Sequence, residues 1–196
     1  MQRRILIPLA LLACALAAVA AAGCGSSGGS ETASKPPDYE TLLAGSPPPL
    51  AALHEQAGEL LPGGLPAYEE RLQELRGFPV VTNVWASWCG PCRIEFPVLQ
   101  QLAARYGKRV AFLGVDYEDD AEAAATFLES NPVPYPSYSD PDKEIGDEIG
   151  GKGLPRTAYY DRAGELCFLK IGQYADEASF EADVQRFALR EECEGS

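Results

Sequence analysis

Phe78-Pro-Val-Val-Thr-Asn-Val-Trp85, Trp88-Cys89-Gly90-Pro91-Cys92 and Arg93-Ile-Glu-Phe-Pro-Val-Leu-Gln-Gln-Leu102 read in sequence as a buried strand, a C-x-x-C turn and the start of a helix. A C-x-x-C between strand and helix is the pattern of a redox dithiol. The chemistry follows from where the backbone puts the first sulfur. Cys89 falls where the helix begins, beside N–H groups without intrahelical acceptors and the positive end of the helix dipole. That setting favours the thiolate, which is the nucleophile, and takes a thiol pKa from about 8.5 toward about 7 or lower. Cys92 comes one helical turn later, within reach of a mixed disulfide on Cys89. Pro91 suits the first helical turn, where its missing N–H leaves no bond unmade.

Other chemistries fit the residues less well. A zinc knuckle needs a second ligand pair, yet the single histidine, His54, reads as a surface residue. Neither Cys167 nor Cys193 belongs to a second C-x-x-C. A peroxidatic cysteine calls for Thr or Ser three positions earlier, where this chain has Ala86, and copper handling calls for a histidine downstream of the C-x-x-C. The reading is therefore no metal and no cofactor, with a peroxide-reducing redoxin or a non-enzymatic thiol-dependent binder as alternatives.

The chain has 196 residues, enough for one domain with extensions, and a formal net charge of −13. That charge argues against nucleic acid, whose phosphates need clustered Lys and Arg. It also gives no attraction to an anionic membrane surface. Arg3 and Arg4 precede an apolar run, Ile5 to Ala22, and small residues lead up to Cys24. Residues 1–23 read as a signal peptide. Cys24, followed by Gly25-Ser-Ser-Gly-Gly-Ser30, resembles a bacterial lipoprotein processing site, with Cys24 as the lipidated residue. Ordinary signal cleavage and an uncleaved anchor helix remain open alternatives. All three place the folded part outside the cytoplasm, anchored to the outer face of the bacterial cytoplasmic membrane or secreted.

Residues 24–50, rich in Gly, Ser and Pro, read as a disordered tether, and 51–64 as a pre-domain segment. The folded domain is expected over 65–193. Its expected order is a helix at 66–76, a strand at 78–86, a helix at 90–106 carrying Pro97, and a strand at 109–115. A helix at 121–130, capped by Asp119 or Asp120, follows, and then a Pro-rich break at 132–136 and a short helix within 140–151. The chain closes with strands at 158–160 and 165–171 around an Asp161-Arg-Ala-Gly164 turn and an amphipathic helix at 176–189, with Phe180, Val184 and Phe187 on one face.

Val80-Val-Thr-Asn-Val-Trp-Ala-Ser-Trp-Cys-Gly-Pro-Cys-Arg-Ile-Glu-Phe-Pro97, Gly114-Val-Asp116, Gly153-Leu-Pro-Arg-Thr157 and Asp161-Arg-Ala-Gly164 occur in an order and spacing that resemble the TlpA/ResA-like family of extracytoplasmic thiol-disulfide oxidoreductases. The resemblance covers about residues 65 to 190. It implies an α/β, thioredoxin-like fold: a central mixed sheet flanked by helices, with an α/β insert between the second strand-helix unit and a cis-proline loop. By the same resemblance Cys89 is the attacking cysteine, Cys92 the resolving one and Pro155 the cis-proline facing the dithiol. Leu154 would then offer its backbone to a bound substrate segment, with Trp88, Gly90 and Pro91 as further substrate contacts. Glu95, one turn beyond Cys92, matches an acidic position able to perturb the cysteines and relay protons. Asn83 departs from classical thioredoxin, which has a buried Asp there; Asn cannot ionise, so the proton role is absent or moved to Glu95. Trp85 reads as core. The implied partners are protein thiols and disulfides and a membrane thiol-electron carrier, for a monomer held to the membrane by its lipid.

Of six cysteines, Cys14 goes with the leader, Cys24 to lipid and Cys89–Cys92 to the active site, leaving Cys167 and Cys193. Cys167 opens the last strand, and the final helix runs back antiparallel to it, so Cys193 returns to the beginning of that strand. A structural disulfide between them is feasible.

Overall fold

The structure, a computed structural model, describes residues 35–193. The signal peptide over 1–23, lipidation at Cys24 and the first part of the tether therefore lie outside the described residues. In chain order the elements are α1 (Tyr39–Leu43), α2 (Pro48–Glu55), β1 (Leu60–Leu61), α3 (Gly64–Glu74), β2 (Val80–Trp85), α4 (Gly90–Tyr106), β3 (Ala111–Tyr117), α5 (Ala121–Ser130), β4 (Ser137–Asp140), α6 (Glu144–Ile149), β5 (Arg156–Tyr160), β6 (Leu166–Ile171) and α7 (Glu177–Asp183), which continues as a π-helical turn over Val184–Leu189.

The six strands form one mixed sheet in the order β1-β4-β3-β2-β5-β6. β2, β3, β4 and β1 run parallel, and β5 and β6 add on antiparallel as a hairpin. Every residue of β2 is buried, as expected of a central strand covered on both faces. Strand alternation sorts its side chains into two cores. Val81 and Trp85 meet Phe96 and Leu99 of α4, Phe127 of α5, and Phe180 and Phe187 of the last helix. Val80 and Val84 meet Tyr68 of α3, Leu113, Ile145 of α6 and Ala158. The fold is thioredoxin-like, as expected, with β4 and α6 forming the insert.

The tether is shorter than expected. Residues 39–50 are not disordered: Asp38 caps α1 by accepting the Thr41 N–H, Leu43 is buried, and α2 starts within the proline run. Prolines suit the first turn of a helix as well as they suit a linker, and composition does not separate the two uses. Leu50 and Leu53 then enter the second core fully buried. β1 and β4 were not anticipated. β1 is two residues long, and Ser137-Tyr-Ser-Asp140 has no apolar run to mark it, although it pairs with Gly114–Tyr117 of β3. His54 is half-buried rather than superficial, with Nδ1 3.1 Å from the carbonyl of Pro134. No helix among the described residues is long and apolar enough to cross a membrane.

Candidate active site

Cys89 is the N-cap of α4, and its Sγ accepts the Cys92 N–H at 3.2 Å. A sulfur placed there faces the unpaired amides and the positive end of a 17-residue helix, which stabilises negative charge on it. Gly90 and Pro91 form the exposed first turn, with Pro in the N1/N2 region where no N–H is required. Cys89 and Cys92 are joined as a disulfide with Cα atoms 5.3 Å apart. Cys89 keeps 4% of its surface exposed and Cys92 1%, so the more reachable sulfur is the first. Trp88 stands beside them, 59% exposed, with its indole N–H donated to the Glu118 carbonyl.

The Leu154–Pro155 peptide is cis. Pro155 immediately precedes β5, and the register Val84↔Arg156 sets it at the end of β2 from which the chain leaves for Cys89. Leu154 is half-buried and packs against both cores. Arg156 was not singled out from sequence. It is buried to 1% exposure, its Nη1 donates to the Gly150 and Gly151 carbonyls at 3.0 Å each, and its guanidinium lies 4.9 Å from the Tyr117 ring centre. It thereby fixes the loop that leads into the cis-proline. Gly146 makes room for this stack, since a Cβ there would lie 2.3 Å from the Tyr117 ring.

On the face covered by α4 a polar row crosses the sheet in register: Ser137, Gly114, Asn83, Thr157 and Lys170 on five adjacent strands. Asn83 Nδ2 donates to Thr157 Oγ1 at 3.3 Å and to the Arg156 carbonyl at 3.5 Å. Asn83 is thus a satisfied amide between strands, with no proton to exchange. The titratable group on this side of the dithiol is Glu95. It is 2% exposed, and neither carboxylate oxygen completes a well-formed hydrogen bond. Burial pushes its pKa up to about 7, partly offset by the Lys170 ammonium and the Tyr174 backbone N–H. A carboxyl poised there can take or give a proton at neutral pH.

A second buried acid, Asp116, lies at the end of β3, where the sequence alone suggests no site residue. It is 1% exposed, with Oδ1 unpartnered. Burial first, then the carboxylates of Asp119, Asp140 and Asp120, push its pKa up to about 8. An acid inside an otherwise apolar strand was the available signal. Asp120 takes the capping role on α5, accepting from the N–H groups of Glu122 and Ala123, while Asp119 is committed to Ser87.

Cys167 and Cys193 are joined by a disulfide, with Cα atoms 4.3 Å apart. It ties the start of β6 to the segment after the last helix. The pairing of Leu166 with Tyr160, and of Tyr160 with Val80, places it at the end of the sheet opposite the dithiol.

Comparison with known proteins agrees with this geometry. A family model described as Redoxin matches residues 67–184. The chain is 35% identical over 138 residues to the thiol:disulfide interchange protein DsbE of Escherichia coli K12, covering 70% of each. It is 41% identical over 94 residues to DsbE of Pseudomonas fluorescens biotype C, covering 47% of this chain and 51% of that one. The chain thus spans about half the length of some curated relatives, 51% and 54% for the two Pseudomonas proteins, and more of others. Among solved structures, one described as a DsbE thiol:disulfide interchange protein from Chlorobium tepidum superposes with a TM-score of 0.54 at 31% identity, covering 58% of this chain and 82% of that one.

Proposed function

The chain belongs to the Redoxin family and to its TlpA/ResA-like branch, and from that premise we propose that it is an extracytoplasmic thiol-disulfide oxidoreductase serving secreted or membrane-bound protein clients, as a reductase. The observation that carries this reading is the position of Cys89 at the N-cap of α4, with Cys92 one turn behind it. The reduced Cys89 thiolate attacks a client disulfide, forming a Cys89–client bond, and the departing client thiolate takes a proton. Cys92 then gives up its proton, with Glu95 as the nearby acceptor on the same helix, and attacks Cys89 Sγ. The client leaves with its second thiol, and two electrons have passed to it as the Cys89–Cys92 disulfide closes. The same steps in reverse oxidise a dithiol. Electrons to regenerate the reduced pair come from a partner dithiol, for which a membrane thiol carrier is the natural source.

Client recognition uses the surface around the dithiol: the exposed Trp88 indole, the Gly90-Pro91 turn, and the backbone of Leu154 ahead of Pro155, available for strand-like pairing. The protein is held to the outer face of the cytoplasmic membrane through lipid on Cys24. Support for that placement lies in the leader-like residues 1–23 and in the relatives' membership of the thiol:disulfide interchange proteins. The direction of transfer is tested by the reduction potential of the Cys89–Cys92 pair. A value near thioredoxin's, about −270 mV, is expected, and one near DsbA's, about −120 mV, would make the protein an oxidase.

A further inference from the structure

Two hydrogen-bonded contacts tie the loop before Cys89 to the loop after β3. Asp119 accepts the Ser87 backbone N–H through Oδ2 and the Ser87 hydroxyl through Oδ1, the latter at 3.0 Å. The Trp88 indole N–H donates to the Glu118 carbonyl at 3.0 Å. Both contacted residues stand directly ahead of the attacking sulfur. Behind Asp119 lies Asp116, sealed in the sheet with one carboxyl oxygen unpartnered. We propose that Asp119 and Asp116 act together as positioning residues for the reaction: a carboxyl pair that latches the Ser87–Trp88 segment, and with it Cys89, onto the loop following β3.

Asp116 is the member held neutral: burial first, and then the Asp119 carboxylate beside it, push its pKa up to about 8. The surroundings reinforce this. Asp120 from the start of α5 and Asp140 from the end of β4 face the pair, and both are acidic. The cations at the rim are engaged elsewhere: Arg93 of α4 points to the Ser87 carbonyl at 3.5 Å, and Lys143 pairs with the Glu118 side chain at 3.1 Å. With the proton in place, Asp119 keeps its negative oxygens on Ser87. When it leaves, the two carboxylates repel, and the half-buried member, Asp119, is the one able to move. Glu95 and Asp116 are therefore two buried acids with separate tasks, one exchanging protons with Cys92, the other holding the loop before Cys89.

The test uses the full chain, and the inference rests on the dithiol reading only for its consequence on rate. The chain has two tryptophans, so two indole N–H signals report by NMR on Trp88 at the latch and on Trp85, whose indole donates to Ser137 at 3.2 Å. In the oxidised protein carrying Glu95→Gln, which removes the other acid, the Trp88 signal is expected to move with a midpoint near pH 8, and the Trp85 signal with it, since Trp85 is the register partner of Asp116. Adding Asp116→Asn, whose amide supplies a fixed donor to Asp119, is expected to abolish that movement between pH 6.5 and 9. In the reduced protein Asp119→Ala is expected to slow exchange of Cys89 with 2,2′-dithiodipyridine by at least fivefold at pH 7, while Asp119→Asn, which keeps an acceptor for Ser87, recovers at least half of the rate. A Trp88 midpoint that persists in Asp116→Asn, or an Asp119→Ala protein exchanging at the wild-type rate, overturns the proposal. The indole titration needs no turnover, so its failure is distinguishable from failure of the oxidoreductase reading.

Discussion

Glu95 enters the interior one helical turn after Cys92, and both side chains are sealed, with 2% and 1% of their surface exposed. A carboxyl in that position is more costly charged than neutral. Its ordinary pKa of 4.5 is raised to about 7 in the folded protein, so the folded state holds a proton that the unfolded chain has lost. The contribution of Glu95 to stability therefore falls as pH rises from about 4.5 to about 7 and is level beyond. Glu95→Gln removes that fall. The variant is expected to match wild type in urea midpoint at pH 4 and to exceed it at pH 8, by at most roughly 3.5 kcal/mol at about 1.4 kcal/mol per unit. It is also expected to lose the ionisation near pH 7 from the pH dependence of client release. Equal midpoints at pH 8 would show that folding leaves the Glu95 carboxyl near its ordinary pKa of 4.5.

Cys92→Ala removes the sulfur that frees captured clients. Mixed disulfides through Cys89 are expected to accumulate on non-reducing gels, as 1:1 adducts with a disulfide-bearing client, and to vanish in Cys89→Ala. The absence of adducts under conditions where wild type turns over would exclude the two-step exchange.

The Cys167–Cys193 bridge closes a loop with a sequence separation of 26, worth about 3–4 kcal/mol in the chain-entropy account. Replacing both cysteines by Ala is expected to lower the unfolding free energy by that order. Exchange through Cys89 should stay within twofold, because the bridge sits at the opposite end of the sheet. A tenfold loss of exchange would instead make it part of the redox path.

Leu50 and Leu53, on a segment that composition alone assigns to a tether and its edge, are fully buried against α3 and the sheet. Each Leu→Ala change is expected to destabilise the domain by about 2–5 kcal/mol in urea unfolding, and an unchanged midpoint would return the segment to linker status.

The fold is legible in this sequence wherever an apolar run or a helical period is strong. β2, α4, α5 and the face of the last helix carrying Phe180, Val184 and Phe187 all fall in the expected places. The Cys89/Cys92 site is legible because its chemistry is local, with four consecutive residues and a helix start sufficient to define it. What sequence does not show depends on pairing between distant segments. Ser137–Asp140 becomes a strand because β3 and β1 flank it, and Leu60-Leu61 because β4 does. Arg156 becomes a site residue only when strand register buries it at the cis-proline loop, and Asp116 only when it is set opposite Trp85 at the end of β2. The proline run at 47–49 illustrates an ambiguity of local chemistry, since a residue that opens a helix also stiffens a linker.

The central claim is that Cys89 is an acidic, attacking thiol because it caps α4. Its pKa is measured most directly by the pH dependence of iodoacetamide alkylation in the reduced protein, with peptide mapping to separate Cys89 from Cys92. Cys89 is expected to be labelled first, with a midpoint at least about one unit below the 8.5 of a free cysteine, and Cys92 to stay protected. Labelling of Cys89 with a midpoint at or above about 8.5, or preferential labelling of Cys92, would contradict it.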